Sequence, residues 1–103
     1  MEVHFRNIYL ERLYKGFPVA GKPGYGKNVI KIFKRRISLL ESLESTTELK
    51  QFRGLNFETL KGNKKGICSI RIDKKYRLEF IVEKNKITLL EIIFIEDLSN
   101  HYK

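Results

Sequence analysis

GICSIRIDKKYRLEFIVE, residues 66–83, decides the fold, because within it apolar side chains recur at every second position. Cys68, Ile70 and Ile72 alternate with Ser69 and Arg71, and Tyr76, Leu78, Phe80 and Val82 alternate with Arg77, Glu79 and Glu83. A period of two sends alternate side chains to opposite faces of a strand. The stretch is therefore expected to form two half-buried strands joined by Asp73, Lys74 and Lys75. Pairing across that turn puts Ile72 near Tyr76 and Arg71 roughly opposite Arg77, away from the apolar set. Like charges placed so destabilise a sheet, and an anion is wanted there: a carboxylate such as Glu91 on the neighbouring strand, or a bound phosphate. The pair reads equally as two solvated arginines sharing a carboxylate.

After a second turn at Glu83 to Lys86, the run Ile87 to Ile95 is apolar at nearly every position, as expected of a central strand covered on both faces. Upstream the period changes. From Lys27 to Leu43, Val29, Ile30, Ile32, Phe33, Ile37, Leu39, Leu40 and Leu43 fill one half of a helical wheel, and Lys27, Lys31, Lys34 and Arg35 fill the other. One face packs and the other is a basic stripe. Arg36 falls inside the apolar arc, where it snorkels to the edge or meets an acid from a partner chain.

Ser45, Thr46 and Thr47 are N-cap candidates for a short further helix toward Phe52, with Glu48 completing a capping box and Gly54 as its stop. The start of the chain reads as a short strand at Val3-His4-Phe5 and a short helix from Asn7 to Lys15. His4 is read as structural. Gly16, Pro18, Gly21, Pro23, Gly24 and Gly26 make the next segment a loop. Helices first and a meander of strands after predict an α+β fold: a mostly antiparallel sheet of four to five strands with the N-terminal helices packed on one face.

The 103 residues suffice for one domain, spanning 1–103, and seven Phe plus five Tyr supply a core. A single cysteine, Cys68, excludes an internal disulfide, a zinc cage or a redox pair, and fits a reducing cytoplasm. The sequence holds no apolar run long enough to span a membrane, and its start is unlike a signal peptide. Twenty-one Lys and Arg against 12 Asp and Glu give a formal charge of +9. That surplus favours nucleic acid, anionic lipid or an acidic protein as partner without choosing among them, and also suits a merely soluble basic domain.

Two segments can carry chemistry. LKGNKKG, residues 60–66, sets Lys61, Lys64 and Lys65 between glycines; such a turn holds a phosphate chain or is simply solvated, and its spacing is not that of a P-loop. The C-terminus follows the last strand with Glu96, Asp97, Ser99, Asn100, His101 and Tyr102. An imidazole there moves protons at neutral pH, and a neighbouring tyrosine helps by hydrogen bonding. No metal-binding or cofactor motif is present in the sequence, so the expected chemistry is metal-free and cofactor-free.

LNFETLKGNKKGICSIRIDKKYRLEF, residues 55–80, followed by a strand ending in IEDLSNHYK, residues 95–103, resembles HigB toxins of the RelE/ParE superfamily. The resemblance covers essentially the whole chain. It implies a RelE-like fold and a ribonuclease that cleaves messenger RNA in the ribosomal A site, neutralised by a helix-turn-helix antitoxin of HigA type. It implies metal-free attack of the ribose 2′-oxygen on the adjacent phosphate. By position, Lys61 and Arg77 would face that phosphate, Asp97 would be the acid near the end of the last strand, and His101, with Tyr102, would handle protons. Arg71, Lys64, Lys65, Lys31, Lys34 and Arg35 are the expected RNA-binding residues. Some relatives carry a histidine where this chain has Glu58, so Glu58 and His101 both stand as candidates for the general base.

Two other readings compete. A ParE-like toxin would bind DNA gyrase and cleave nothing; His101 with Tyr102 favours the nuclease. A basic RNA-binding module without toxicity would not stop growth on expression.

Overall fold

The computed structural model describes residues 1–17 and 24–100. Its strands are β1 (Glu2–Phe5), β2 (Glu58–Thr59), β3 (Cys68–Arg71), β4 (Arg77–Lys84) and β5 (Glu91–Ser99), and its helices are α1 (Ile8–Lys15) and α2 (Lys27–Ser42). The strands form one sheet in the order β1-β5-β4-β3-β2. β1 runs parallel to β5 and the other three pairings are antiparallel. The α+β architecture expected from the sequence holds, with five strands and both helices contributing to the same core.

Local chemistry sets the helix ends. Asn7 is extended and its side-chain oxygen accepts the N–H of Leu10 at 3.1 Å, which starts α1. Gly16 ends it in the left-handed region at φ 79°, with its N–H on the carbonyls of Arg12 and Leu13. The N-terminal ammonium of Met1 donates to the carbonyls of Leu40, Glu41 and Leu43, setting a positive charge on the C-terminal end of α2. Periodicity alone carries no sign of that arrangement.

Leu10 of α1 and Phe33, Ile37 and Leu40 of α2 pack with Ile70, Leu78, Phe80, Ile93 and Ile95 of the sheet, all fully buried. Each such side chain contributes roughly 1.5–3 kcal/mol. Phe33→Ala would open a cavity between helix and sheet and cost about 3–5 kcal/mol.

The register is the predicted one. Ile70 lies opposite Leu78 and Arg71 opposite Arg77, and the N–H of Ile72 reaches the carbonyl of Tyr76 at 2.9 Å. The Asp73 carboxylate shapes the turn by accepting the N–H groups of Lys75 and Tyr76, each at 2.8 Å. On the other side Glu79 pairs with Asp97 and Phe80 with Ile95, so Glu96 is an extra residue in β5. That bulge brings Ile95 and Leu98 onto the core side and Asp97 and Ser99 onto the face that carries Arg77 and Glu79.

Several expectations are corrected. The second short helix is a 3-10 segment, Thr46–Gln51, and Gly54 lies inside another, Arg53–Leu55, rather than stopping the first. Ser45 does cap it, through the N–H of Thr47, while Glu48 accepts the N–H of Glu44. Ile87 to Leu90 are not strand. Asn85 takes the N–H groups of Ile87 and Thr88 and turns the chain, leaving Ile87 92% exposed, and β5 begins only at Glu91. β5 has neighbours on both edges, but the middle strand is β4. β2 is a two-residue strand that the pattern did not reveal. His4 stacks on Phe94 with centroids 5.5 Å apart and bonds Glu2.

Candidate functional site

Leu78 and Phe80 point into the core, so Arg77 and Glu79 leave β4 on the opposite face, together with Ser69, Arg71, Asp97 and Ser99 from their paired positions. Strand alternation alone predicts this set to be solvated. Instead Arg77 is 8% exposed, Glu79 is 3% exposed, and Ser69 and Ser99 are buried.

The β2–β3 turn accounts for part of that burial. Lys64, in a 3-10 turn at Gly62–Lys64, reaches across β3 and places its ammonium 2.7 Å from the Glu79 carboxylate. The lysine-rich turn is thereby folded over the polar face. Lys61 and Lys65, at its two ends, are exposed. Lys64 was expected to contact RNA; its charge is engaged by Glu79, so its first effect is to hold the turn that carries Lys61.

Arg77 is held from several sides. Its Nε donates to the Ser69 hydroxyl at 2.9 Å, and its Nη2 donates to the carbonyls of Ser69 at 3.3 Å and of Asn56. The Glu58 carboxylate stands 3.9 Å from Nη2 and is more than half exposed. The expected neutralising carboxylate, Glu91, is a correction. It pairs with Lys84 at the far end of β4, where it accepts the N–H of Thr46 at 2.7 Å and the hydroxyls of Ser45 and Thr46. Burial opposes ionisation of Glu91, yet the Thr46 N–H, the two hydroxyls and Lys84 outweigh it and hold its carboxyl below the usual glutamate value.

Arg71 lies opposite Arg77 but turns its Nε to the carbonyl of Asp73 at 3.2 Å. Arg36 is half-buried; its Nε donates to the Arg71 carbonyl at 3.1 Å, and burial, then Arg35, lower its pKa. Asp97 is half-buried, with Oδ1 accepting the N–H of Leu98 at 2.8 Å. Ser99 lies opposite Arg77, so the chain leaves β5 at the level of that guanidinium. His101 and Tyr102 lie outside the described residues.

The structure thus brings Arg77, Glu79, Lys64, Glu58, Arg71 and Asp97 onto one face of the sheet, with Lys61 exposed at the start of the turn that carries Lys64. It does not bring Lys31, Lys34 and Arg35 there. α2 packs on the opposite side through Val29, Phe33, Ile37 and Leu40, and its cations face outward from that layer. Glu79, central to the cluster, was missed as a site residue; its place between Leu78 and Phe80, one step from Arg77, was the available signal. The arrangement can hold an anion against donors already fixed in place.

A family profile described as a RelE-like toxin of the type II toxin–antitoxin system HigB matches residues 3–92. Toxin HigB-1 of Vibrio cholerae is 44% identical over 46 residues, which is 45% of this chain and 48% of that protein, so the chain spans about half of that relative's length. An uncharacterised protein of Haemophilus influenzae is 30% identical over 87 residues, 84% of each chain. Among solved structures, a YoeB/ParE toxin from Agrobacterium tumefaciens matches with a TM-score of 0.57 at 14% identity, covering 99% of this chain and 100% of that one. The YoeB–YefM complex from Staphylococcus aureus matches with a TM-score of 0.56 at 24% identity, covering 99% and 98%. These structural likenesses concern the fold. On the strength of the profile match, this chain belongs to the HigB group of RelE-like toxins of type II toxin–antitoxin systems.

Proposed function

We propose that the protein is a messenger-RNA endoribonuclease that acts on the ribosome, kept inactive by a HigA-type antitoxin. The observation that carries this reading is Arg77: a buried guanidinium held by Ser69 and Asn56 on the face that Lys64 of the β2–β3 turn reaches through Glu79. A cation fixed before substrate arrives stabilises developing phosphorane charge without reorganising, and each such donor is worth about 3 kcal/mol in a dry site.

In the proposed reaction the ribose 2′-oxygen attacks phosphorus and gives its proton to a base, His101 or Glu58. The bond to the 5′-oxygen breaks, and that oxygen takes up the proton that the base, now in its acid form, returns. The products are a 2′,3′-cyclic phosphate and a free 5′-hydroxyl. Arg77 and Lys61 carry the charge on the phosphoryl oxygens, and Asp97 and Tyr102 orient the proton carrier. Acid-base help of this kind supplies roughly 10² to 10⁴ in rate.

The test is expression of the full chain, with cleavage mapped on purified ribosomes. Translation should stop, messages should be cut only with ribosomes present, and Lys61→Ala and His101→Ala should each relieve the arrest with the melting temperature unchanged. Arg77→Ala is less informative, because the guanidinium also joins Asn56 to β3. Intact messages with inhibited supercoiling would select the gyrase-binding reading. Growth unaffected by expression would select a non-toxic RNA-binding module.

A further inference from the structure

The turn between β4 and β5 holds three large apolar side chains in water: Ile87 is 92%, Leu89 69% and Leu90 62% exposed. They do not ride on a loose loop. The Asn85 side chain accepts the N–H groups of Ile87 at 2.9 Å and Thr88 at 3.0 Å. Its backbone N–H donates to the Leu90 carbonyl at 2.9 Å, and its carbonyl accepts the N–H of Leu89 at 2.8 Å. The Thr88 hydroxyl accepts the N–H of Leu90 at 3.2 Å. Leu89 is held at φ 63°, a left-handed conformation unfavourable to a leucine. The fold thus presents an apolar knob of fixed shape, against both its solvation and its backbone preference.

Beside the knob lies a groove of about 610 Å³. Leu43, Leu90 and Ile92 give it apolar walls, and Glu2, Glu41, Glu44 and Glu91 also line it, so four of the chain's 12 acids gather here although the formal charge is +9. Glu91 is committed to Ser45 and Thr46, Glu2 bonds His4, and Glu41 accepts the Tyr14 hydroxyl at 2.9 Å. The Met1 ammonium is taken up by the carbonyls that close α2. No ion pair among the described residues engages Glu41 or Glu44, and both are exposed.

Two copies of so basic a chain repel each other over most of their surface, and a groove that gathers acids is where a second copy can approach. The knob carries the complementary chemistry: exposed Lys86 directly precedes Ile87, with Leu89 close behind. Knob and groove are continuous, since Leu90 belongs to both. We infer that two copies of this chain associate about a two-fold axis, each seating Ile87 and Leu89 in the other's groove with Lys86 against Glu44. Such an exchange makes the same contact twice and closes, so it stops at a dimer. The contact is small, at or below the roughly 1,200 Å² where stable interfaces begin, so the dimer is weak and depends on concentration. From Arg77 to Lys84, β4 spans roughly 23 Å, and the knob follows Lys84. Association there leaves the face of Arg77 open and does not rest on the nuclease reading.

The test is sedimentation equilibrium of the full chain from about 10 µM to about 1 mM, with the melting temperature of every variant followed in parallel. The wild type should pass from monomer to dimer and go no further. Leu89→Gly relieves the left-handed leucine and keeps the fold, yet should weaken the dimer about a hundred-fold, ten-fold for each of its two buried leucines. Glu44→Lys and Lys86→Glu, both at exposed positions, should each abolish self-association. An equimolar mixture of these two should restore it, because each chain then meets the opposite charge on the other at both contacts. A wild type that stays monomeric throughout overturns the inference. So does a dimer of unchanged affinity in Leu89→Gly or Glu44→Lys, or a mixture that stays monomeric although both chains melt as the wild type does. A monomeric chain whose Ile87 and Leu89 methyl signals shift instead with a basic antitoxin peptide gives the groove to that partner and overturns the second copy.

Discussion

Replacing Lys64 by Met tests whether the turn over the polar face is held by charge. The ammonium lies 2.7 Å from a carboxylate that is 3% exposed, while the lysine side chain itself is 37% exposed. Breaking a fully buried ion pair from one side costs about 3–5 kcal/mol, because a charge is left without its partner. Water reaches this lysine, and Glu79 has further interactions, so roughly 2 kcal/mol is expected, above the 1 kcal/mol or less of a surface pair. For a chain of this size that is a drop of roughly 8–16 °C in Tm. Urea denaturation of Lys64→Met, Glu79→Leu and the double variant gives the coupling directly. The double variant should recover much of the loss, since an apolar pair of similar volume replaces buried ions at little cost. A loss for Lys64→Met below about 0.5 kcal/mol would refute the argument, since it would make the interaction an ordinary surface pair. The same variant should lower ribosome-dependent cleavage at temperatures where it is folded, because Lys61 rides on the released turn.

Glu91→Gln should cost about 1 kcal/mol by weakening the acceptor for Thr46 and Ser45. The folded carboxyl is held below its usual value, so its contribution is full above the ordinary glutamate pKa and fades as pH falls through the folded one; chemical denaturation should show wild type and variant converging in acid. A gap that stays constant down to low pH would show that Glu91 acts without its charge. Leu89 sits in the left-handed region at φ 63° and is exposed, so Leu89→Gly should stabilise by up to about 1 kcal/mol, and a loss of stability on melting would refute the strain argument. Changing Lys31, Lys34 and Arg35 together to Gln should flatten the salt dependence of ribosome binding by about one unit of slope for each phosphate no longer neutralised, leaving Tm nearly unchanged; an unaltered slope would remove the α2 stripe from the interface.

Much of the fold was legible because it depends on short-range periods. Leu78 and Phe80 must share a face, and the short Asp73–Lys75 turn fixes Arg71 against Arg77. The helical arc from Val29 to Leu40 is equally forced once one side must be dry. Ile87, Leu89 and Leu90 misled for the complementary reason. Their apolar character is the same in a strand and in an exposed turn, and the one contrary sign was Asn85, whose side chain caps the backbone that follows it. Periodicity likewise gave no account of the Met1 ammonium on α2 or of Glu91 on Thr46, because both interactions join parts of the chain that only the folded sheet brings together.

The candidate site shows the same division. Alternation assigned Arg77 and Glu79 to the correct face but could not say what meets them there, since Glu79 takes a lysine arriving from another turn and Arg77 takes the carbonyl of Asn56. That anchoring changes what Arg77 can do. A solvated arginine must give up water and rotamer freedom each time it meets a phosphate, whereas one already tied to Ser69 and Asn56 has met that cost in folding. The outward cations of α2 are under no such constraint and lie on the opposite side of the sheet. The charge of +9 therefore divides into two kinds: a few cations tied by hydrogen bonds at one face, suited to stabilising a transition state, and an exposed surplus elsewhere, suited to raising encounter rates with a polyanion. On the proposed nuclease reading, a substitution in the first group should act on turnover, and one in the second on association and its salt dependence.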